Sequence, residues 1–324
     1  MPSNPTVSVV ICAYTERRWR LLEESIASVD AQTSPPAEII LCIDHNEDLL
    51  RRCEQHFVRD RPAGAIPVTV LANKYDGHLG SARNTAAESA YGDVLAFLDD
   101  DAAAEADWLA RLIDPYCDQE VGAVGGAPWP VFEGGRPRWF PREFDWVFGC
   151  AYRGLPSTRA PLAHLIGANM SARRSILEEI GGFHSDDHDD MDMCHRIAFA
   201  RYKVLYEPRA VVHHFVPAAR TTWHYFWRRC YFVNQGKVQA FANMQSAAHL
   251  GAERAFVLRI LRTGVPAEIR QTVRGDPYGL VRVGAMMLGI LFAGSGHLSG
   301  RWWLYRSRRA PAKARVIGVR PERG

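Results

Sequence analysis

Four short runs in the opening part of the chain, residues 7–12, 38–43, 67–71 and 94–98, are almost wholly apolar and rich in Val, Ile or Leu. Runs of that length without polar alternation fit strands buried on both faces. The segments between them, 21–31, 49–58 and 81–91, have helical periodicity, and Leu22, Ile26 and Val29 fall on one face of the first. This β-α-β-α-β-α-β order predicts an α/β fold in which helices cover both faces of a doubly wound, mostly parallel sheet. Residues 102–112 also have a helical pattern. Further along, 127–160 gathers Trp129, Phe132, Trp139, Phe140, Phe144, Trp146 and Phe148 among Pro, Arg and Gly. A loop that long usually has a binding role. Residues 166–183 read as a strand running into a helix that stops at Gly181-Gly182. Residues 203–206 and 210–213 are strand candidates. From Thr221 the chain is helical in pattern, with Trp223, Phe226, Trp227, Cys230 and Val233 at helical spacing. The expected organisation is a catalytic domain at 1–216, divided into a nucleotide-binding half (1–126) and an acceptor-binding half (127–216). A helical region with a basic tail follows at 217–324.

Composition changes this picture little. With 324 residues, 47% hydrophobic and 23% charged, the chain has an ordinary globular balance, and a net charge of +3 gives no ground for a nucleic-acid partner. Charge is uneven only at the end, where residues 301–324 hold eight Lys or Arg and one Glu. The seven cysteines are scattered and never spaced as CxxC, which argues against a disulfide framework or a zinc ribbon and for a reducing compartment. The N-terminus goes into its first apolar run without a basic region, so it is expected to be a strand rather than a signal peptide, in a cytoplasmic protein.

Candidate chemistry lies at the strand ends, where ligands bind in open α/β sheets. The first run leads into Tyr14-Thr15-Glu16, the second into Asp44-His45-Asn46 and the fourth into Asp99-Asp100-Asp101. A helix cap needs one Asp, whereas three adjacent carboxylates repel one another unless a cation relieves them. A divalent ion with a phosphate ligand would do so.

The blocks SVVICAYTER, CIDHN, GSARNTAAESAYGDVLAFLDDD, GANMSARRSILEEIGGF, HDDMDMCHR and AVVHH occur in this order over residues 6–216. Together they resemble the family 2 inverting glycosyltransferases of the GT-A fold. Within that family CAYTER, DHN, RPRWFPREFDWVFGCAYRGLP and HHFVPAARTTWHYFWRRCY resemble members that transfer glucuronic acid to glucosyl-dolichyl phosphate. The family's GLSGARN stands here as Gly77-His78-Leu79-Gly80-Ser81-Ala82-Arg83-Asn84. The resemblance implies a donor site for a nucleotide-diphosphate sugar, preferably a UDP-sugar, built from Ala13, Tyr14, Thr15, Glu16, Asp44, Arg83, Asp99, Asp100 and Asn169. Asp44 would meet the pyrimidine and Arg83 the base or phosphate. It also implies Mn²⁺ or Mg²⁺ held by Asp101 with Asp99 and His213. If the strand persists through His213-His214, only one of the two rings points inward. Asp190 aligns with the family's base, with Asp189 beside it to raise its pKa. Asp192, four residues before Arg196, is expected to be structural.

Two other classes share parts of this pattern. A sugar-nucleotide pyrophosphorylase would need glycines after the first strand, which AYTERR lacks, and a non-catalytic binding module would need no base. The acceptor is expected to be a sugar or a lipid-linked sugar, with a soluble natural product or a cell-surface polysaccharide as alternatives. Residues 283–299 form an uncharged apolar run followed by Arg301-Trp302-Trp303-Leu304-Tyr305-Arg306. That combination is expected to dock on anionic lipid at the inner face of the cell membrane without spanning it.

Overall fold

The computed structural model describes residues 5–184, 188–242 and 251–309. Its contacts divide it into two compact units, Met1–Thr221 and Thr222–Gly324. In chain order the first unit holds β1 (Val7–Ala13), α1 (Trp19–Asp30), β2 (Glu38–Ile43), α2 (Glu47–Cys53), β3 (Val68–Ala72), α3 (Leu79–Ser89), β4 (Val94–Asp99) and β5 (Ala102–Ala104). It continues with α4 (Trp108–Ile113), β6 (Val121–Phe132), β7 (Ala160–Pro161), β8 (Asn169–Arg173), α5 (Arg174–Glu179), α6 (Asp189–Phe199) and β9 (Lys203–Val216). The second holds α7 (Trp223–Ala242), α8 (Gly251–Arg259), α9 (Val265–Val273) and α10 (Gly279–Arg309).

The strands make one sheet in the order β3-β2-β1-β4-β8-β6-β9-β5, with β7 also paired to β9. β1 to β4 are mutually parallel, and so are β6 and β9, whereas β8 runs antiparallel to both its neighbours and β5 antiparallel to β9. The sheet is therefore mixed, and mostly parallel as the apolar runs imply. Alternate residues of each run go to opposite faces. Val9, Ile11, Ile39, Leu41, Ala96 and Leu98 pack with Leu22, Ile26 and Val29 of α1 and Trp108 and Leu112 of α4. Val10, Ile40, Leu95 and Phe97 pack with Ala82 and Ala86 of α3, Leu177 of α5 and Ile197 of α6. Both faces are core, which is why the runs carry no polar alternation. Each enclosed Val, Leu or Ile contributes roughly 1.5–3 kcal/mol.

Two sequence expectations need correction. Residues 102–112 are not one helix, because Ala102–Ala104 is a strand pairing with β9 and α4 begins only at Trp108. Alanine is a good helix former, and the edge of β9 overrides that local preference. The two strand candidates at 203–206 and 210–213 are one continuous strand that reaches Val216. The Gly181-Gly182 stop is present, with φ of 82° and 77° in the left-handed region that favours glycine.

Candidate active site

The acid triplet is built by a strand that ends and a second that starts at once. β4 closes at Asp99, Asp100 and Asp101 form a turn, and β5 opens at Ala102. Phe215 N–H donates to the Asp101 carbonyl at 2.8 Å, and Ala102 stands opposite His214. That register carries the His214 ring to the Asp101 carboxylate, with Nε2 3.1 Å from Oδ1 and 3.9 Å from Asp99 Oδ2. One ligand atom each from Asp99, Asp101 and His214 lies within 4.8 Å of the other two.

This corrects the choice of His213. Side chains alternate along β9, so the ring of His213 turns outward, half exposed, to Glu105 Oε1 at 3.2 Å, while His214 is buried. The alternation was legible in the sequence. Its phase was not, because it depends on pairing with a three-alanine strand.

The charges around the triplet are balanced from two sides. Arg18 Nη1 donates to Asp100 Oδ1 at 2.8 Å and lies 3.1 Å from Asp101 Oδ2. Asp101 is thus held through both oxygens, one by Arg18 and the other by His214. Burial pushes the Asp101 carboxyl upward, but His214 and then Arg18 outweigh it and hold it below the usual carboxylate range. Asp100 shows the opposite balance. Burial raises it to about 7 against the opposing pull of Arg18, and its Oδ2 is enclosed without a hydrogen-bond partner. Asp99 is raised as well, chiefly by burial. The donor set of two carboxylates and one imidazole, beside an orphaned carboxylate oxygen, fits a hard divalent cation such as Mn²⁺ or Mg²⁺.

A second acidic group meets the first through Arg83. Its guanidinium is enclosed, with Nη1 2.6 Å from Asp189 Oδ2 and Nη2 3.0 Å from the Gly167 carbonyl and 3.5 Å from Asp99 Oδ1. Arg83 thus ties the end of β4 to the start of α6. Asp189, at the first position of α6, is committed to that tie. Asp190 next to it is partly exposed and accepts the backbone N–H groups of Gly167 at 3.1 Å and Met191 at 2.7 Å. Burial, then the neighbouring Asp189, raise Asp190 to about 6. Asp192 pairs with Arg196 and anchors α6. Ser185, Asp186 and Asp187, the first part of this acidic block, lie outside the described residues.

At the end of β2, Asp44 Oδ1 accepts from Asn73 Nδ2 at 2.7 Å and lies 2.7 Å from His45 Nδ1. His45 has a φ of 49°, the left-handed region uncommon for a non-glycine residue. Asn46 then caps α2 through Leu49 N–H and reaches back to the Tyr14 carbonyl at 3.1 Å. The ends of β1 and β2 are further joined by Asp44 N–H donating to the Ala13 carbonyl. Tyr14 is exposed beneath the Arg18 guanidinium, Thr15 Oγ1 accepts from Arg17 N–H, and Glu16 opens the turn that leads into α1. These residues line one rim together.

Asn169 does not join it. Its Oδ1 accepts from the Trp108 indole at 2.8 Å, its Nδ2 donates to the Ala210 carbonyl at 2.9 Å, and it has no exposed surface. It is a core latch between β8, α4 and β9. Gly126 makes room for it, since a Cβ there would stand 2.4 Å from Asn169 Nδ2 and 2.1 Å from the Ala210 carbonyl. Arg18, the choice of His214 over His213, and the pairing of Arg83 with Asp189 are what sequence reasoning missed. No spacing rule marks them, since they meet only through tertiary folding.

Residues 8–181 match the sequence profile of Glycosyl transferase family 2. The chain is 32% identical over 243 residues to the glucosyl-dolichyl phosphate glucuronosyltransferase of Haloferax volcanii, covering 71% of this chain and 76% of that protein. Among solved structures it resembles a mannosyltransferase from Pyrobaculum calidifontis in complex with GDP-Man and Mn²⁺. There the TM-score is 0.62 and the identity 20%, with 92% of this chain and 88% of that one covered. It also resembles GalNAc-T7 with UDP, GalNAc and Mn²⁺, at a TM-score of 0.54 and 19% identity over 79% of this chain and 54% of that one. These likenesses establish the GT-A fold.

Proposed function

Since the chain belongs to glycosyl transferase family 2 and is a sugar transferase, we propose that it moves a sugar from a UDP-linked donor to a hydroxyl of a lipid-linked acceptor, with inversion and with a divalent cation at Asp99, Asp101 and His214. The observation that carries this reading is the convergence of those three ligand atoms at the end of β4, with a raised carboxylate, Asp190, next in sequence to the Asp189 that Arg83 ties to the same place. A cation bound there would neutralise charge growing on the departing nucleotide diphosphate. Asp101 and His214 would hold it, with Asp99 completing the set or meeting it through water. Asp44 would meet the base of the nucleotide, with Thr15 and Glu16 on the neighbouring strand end. Asp190 takes the proton of the acceptor hydroxyl. A carboxyl near 6 is ionised at neutral pH and more basic than an ordinary aspartate, which suits that task. Arg83 keeps Asp189 from competing, because both charges of that pair are already satisfied.

The lipid-linked acceptor is supported by the Haloferax volcanii relative and by the second unit. Helix α10 is long and apolar enough over residues 279–307 to cross a membrane, and an 18-residue stretch within it has a mean hydropathy of 1.5. It packs on α7 through glycines, since a Cβ on Gly296 or Gly300 would strike the backbone at Tyr231 or Gln235. The face turned away exposes Leu280, Leu291, Leu298, Trp302 and Tyr305 with Arg301 and Arg306 alongside. Apolar residues ending in aromatics and cations suit the surface of an anionic bilayer, and we place the protein on the cytoplasmic leaflet. Lys313 and Arg315 of the basic tail lie outside the described residues.

Incubating the purified protein with radiolabelled UDP- and GDP-sugars, with Mn²⁺ or with EDTA, tests the reaction. Hydrolysis or transfer of a UDP-sugar only with the cation is the expected result. Equal turnover in EDTA, or turnover of GDP-sugars alone, would refute it.

A further inference from the structure

His214 is clamped at both ring nitrogens. Opposite the Asp101 contact at Nε2, its Nδ1 lies 3.2 Å from the sulfur of Cys150. Both side chains are buried. The cysteine is delivered by the turn that closes the aromatic stretch after β6. Gly149 N–H donates to the Trp146 carbonyl and Cys150 N–H to the Asp145 carbonyl, with Gly149 at a φ of 72°. The Cβ position of Gly149 is 3.8 Å from His214 Cε1, so the turn lies against the ring. The Cys150 sulfur also lies 3.7 Å from the Phe148 carbonyl, within reach for its thiol hydrogen, and donation there leaves sulfur lone pairs for the imidazole.

An imidazole that binds a cation through one nitrogen carries its hydrogen on the other, and whatever accepts that hydrogen fixes the ring's tautomer and orientation. We propose that Cys150 is a positioning residue for the cation site: its sulfur accepts the Nδ1–H of His214 and holds Nε2 beside Asp101 with its lone pair directed to the cation. The inference rests on the reading of Asp99, Asp101 and His214 as the cation site. The ordinary role of a buried cysteine is that of a small hydrophobe. That role explains the burial, but not a sulfur 3.2 Å from Nδ1 with a carbonyl at 3.7 Å to take its thiol hydrogen.

The test is calorimetric titration of Mn²⁺ into the full-length protein with UDP present. Cys150→Val should weaken Mn²⁺ binding by about 10–100-fold, the usual effect of removing a partner behind a metal ligand. Cys150→Ser, which keeps a donor and an acceptor, should retain most of the affinity. In a His214→Ala background Cys150→Val should cause no further loss, because the cysteine acts only through that ring. Should Cys150→Val fail to fold by circular dichroism, Cys150→Ala against Cys150→Ser gives the same contrast. Wild-type affinity in the Val or Ala variant, a Ser variant as weak as they are, or additive losses in the double variant would each overturn the proposal. A wild-type protein that binds no Mn²⁺ would instead refute the cation site itself, and this inference with it.

Discussion

Asp190 and Asp189 are neighbours with opposite fates, and the difference is a single partner. Asp189 faces Arg83 at 2.6 Å, whereas Asp190 accepts only backbone N–H groups and stands at about 6. Substituting Asp190→Asn should therefore lower turnover by roughly 10²–10⁴ and leave UDP affinity nearly intact. Asp189→Asn should instead disturb Arg83 and weaken folding and donor binding together. A rate assay beside UDP calorimetry separates the two, and a large catalytic loss at Asp189 with none at Asp190 would reverse the assignment. The pH profile follows with a definite sign. The base must be ionised, so kcat/KM should be flat above about pH 7 and fall about tenfold per pH unit below 6. An acid limb near 4 would mean that burial and Asp189 do not act on this group as the geometry requires. At the cation, His214→Ala should weaken Mn²⁺ binding while His213→Ala leaves it unchanged, since only the former ring faces Asp101.

At the scale of elements, the site is a consequence of which strands stop where. β1, β2 and β4 end on one edge, and β9 passes that edge at the height that puts His214 opposite Ala102. Asn169 ties this crossing together, and both polar atoms of its amide are used. Asn169→Ala should destabilise the first unit by about 1–3 kcal/mol by orphaning the Trp108 indole N–H and the Ala210 carbonyl. Denaturant unfolding beside UDP calorimetry reads this out, and a normal midpoint with lost UDP affinity would return Asn169 to the donor site. The apolar runs, the Gly-Gly stop and the acid triplet were legible in the sequence because each rests on local physics: burial period, left-handed backbone, charge crowding. Residues 102–104 were not, since three alanines favour a helix until an open strand edge is beside them. The phase of His213-His214 was illegible for the same reason. The sequence pointed to Arg83 but not to its pairing with Asp189, because residues 106 positions apart in sequence meet only once the start of α6 comes beside α3.

The whole molecule carries two kinds of surface on two compact units. The first presents acids that need a cation, and the second presents an apolar helix face edged by arginines. Replacing two exposed residues of that face, Leu288→Glu and Leu291→Glu, should abolish flotation of the full-length protein with anionic liposomes while leaving Mn²⁺-dependent donor hydrolysis unchanged. Neutral liposomes should bind the wild type less, since each Arg or Lys near an anionic surface adds about 1 kcal/mol. Flotation of the double variant with anionic lipid as complete as wild type would place the docking surface elsewhere. The central claim concerns the first unit, where two carboxylates and one imidazole are to hold the cation that carries the donor diphosphate. Its most direct test is the affinity of the wild-type protein for UDP, measured by calorimetry with Mn²⁺ and then with EDTA, and repeated on Asp101→Ala. The cation should tighten UDP binding by at least about tenfold, or 1.4 kcal/mol, in the wild type and hardly at all in the variant. Equal UDP affinity in Mn²⁺ and EDTA for the wild type, or an undiminished Mn²⁺ effect in Asp101→Ala, would contradict the account.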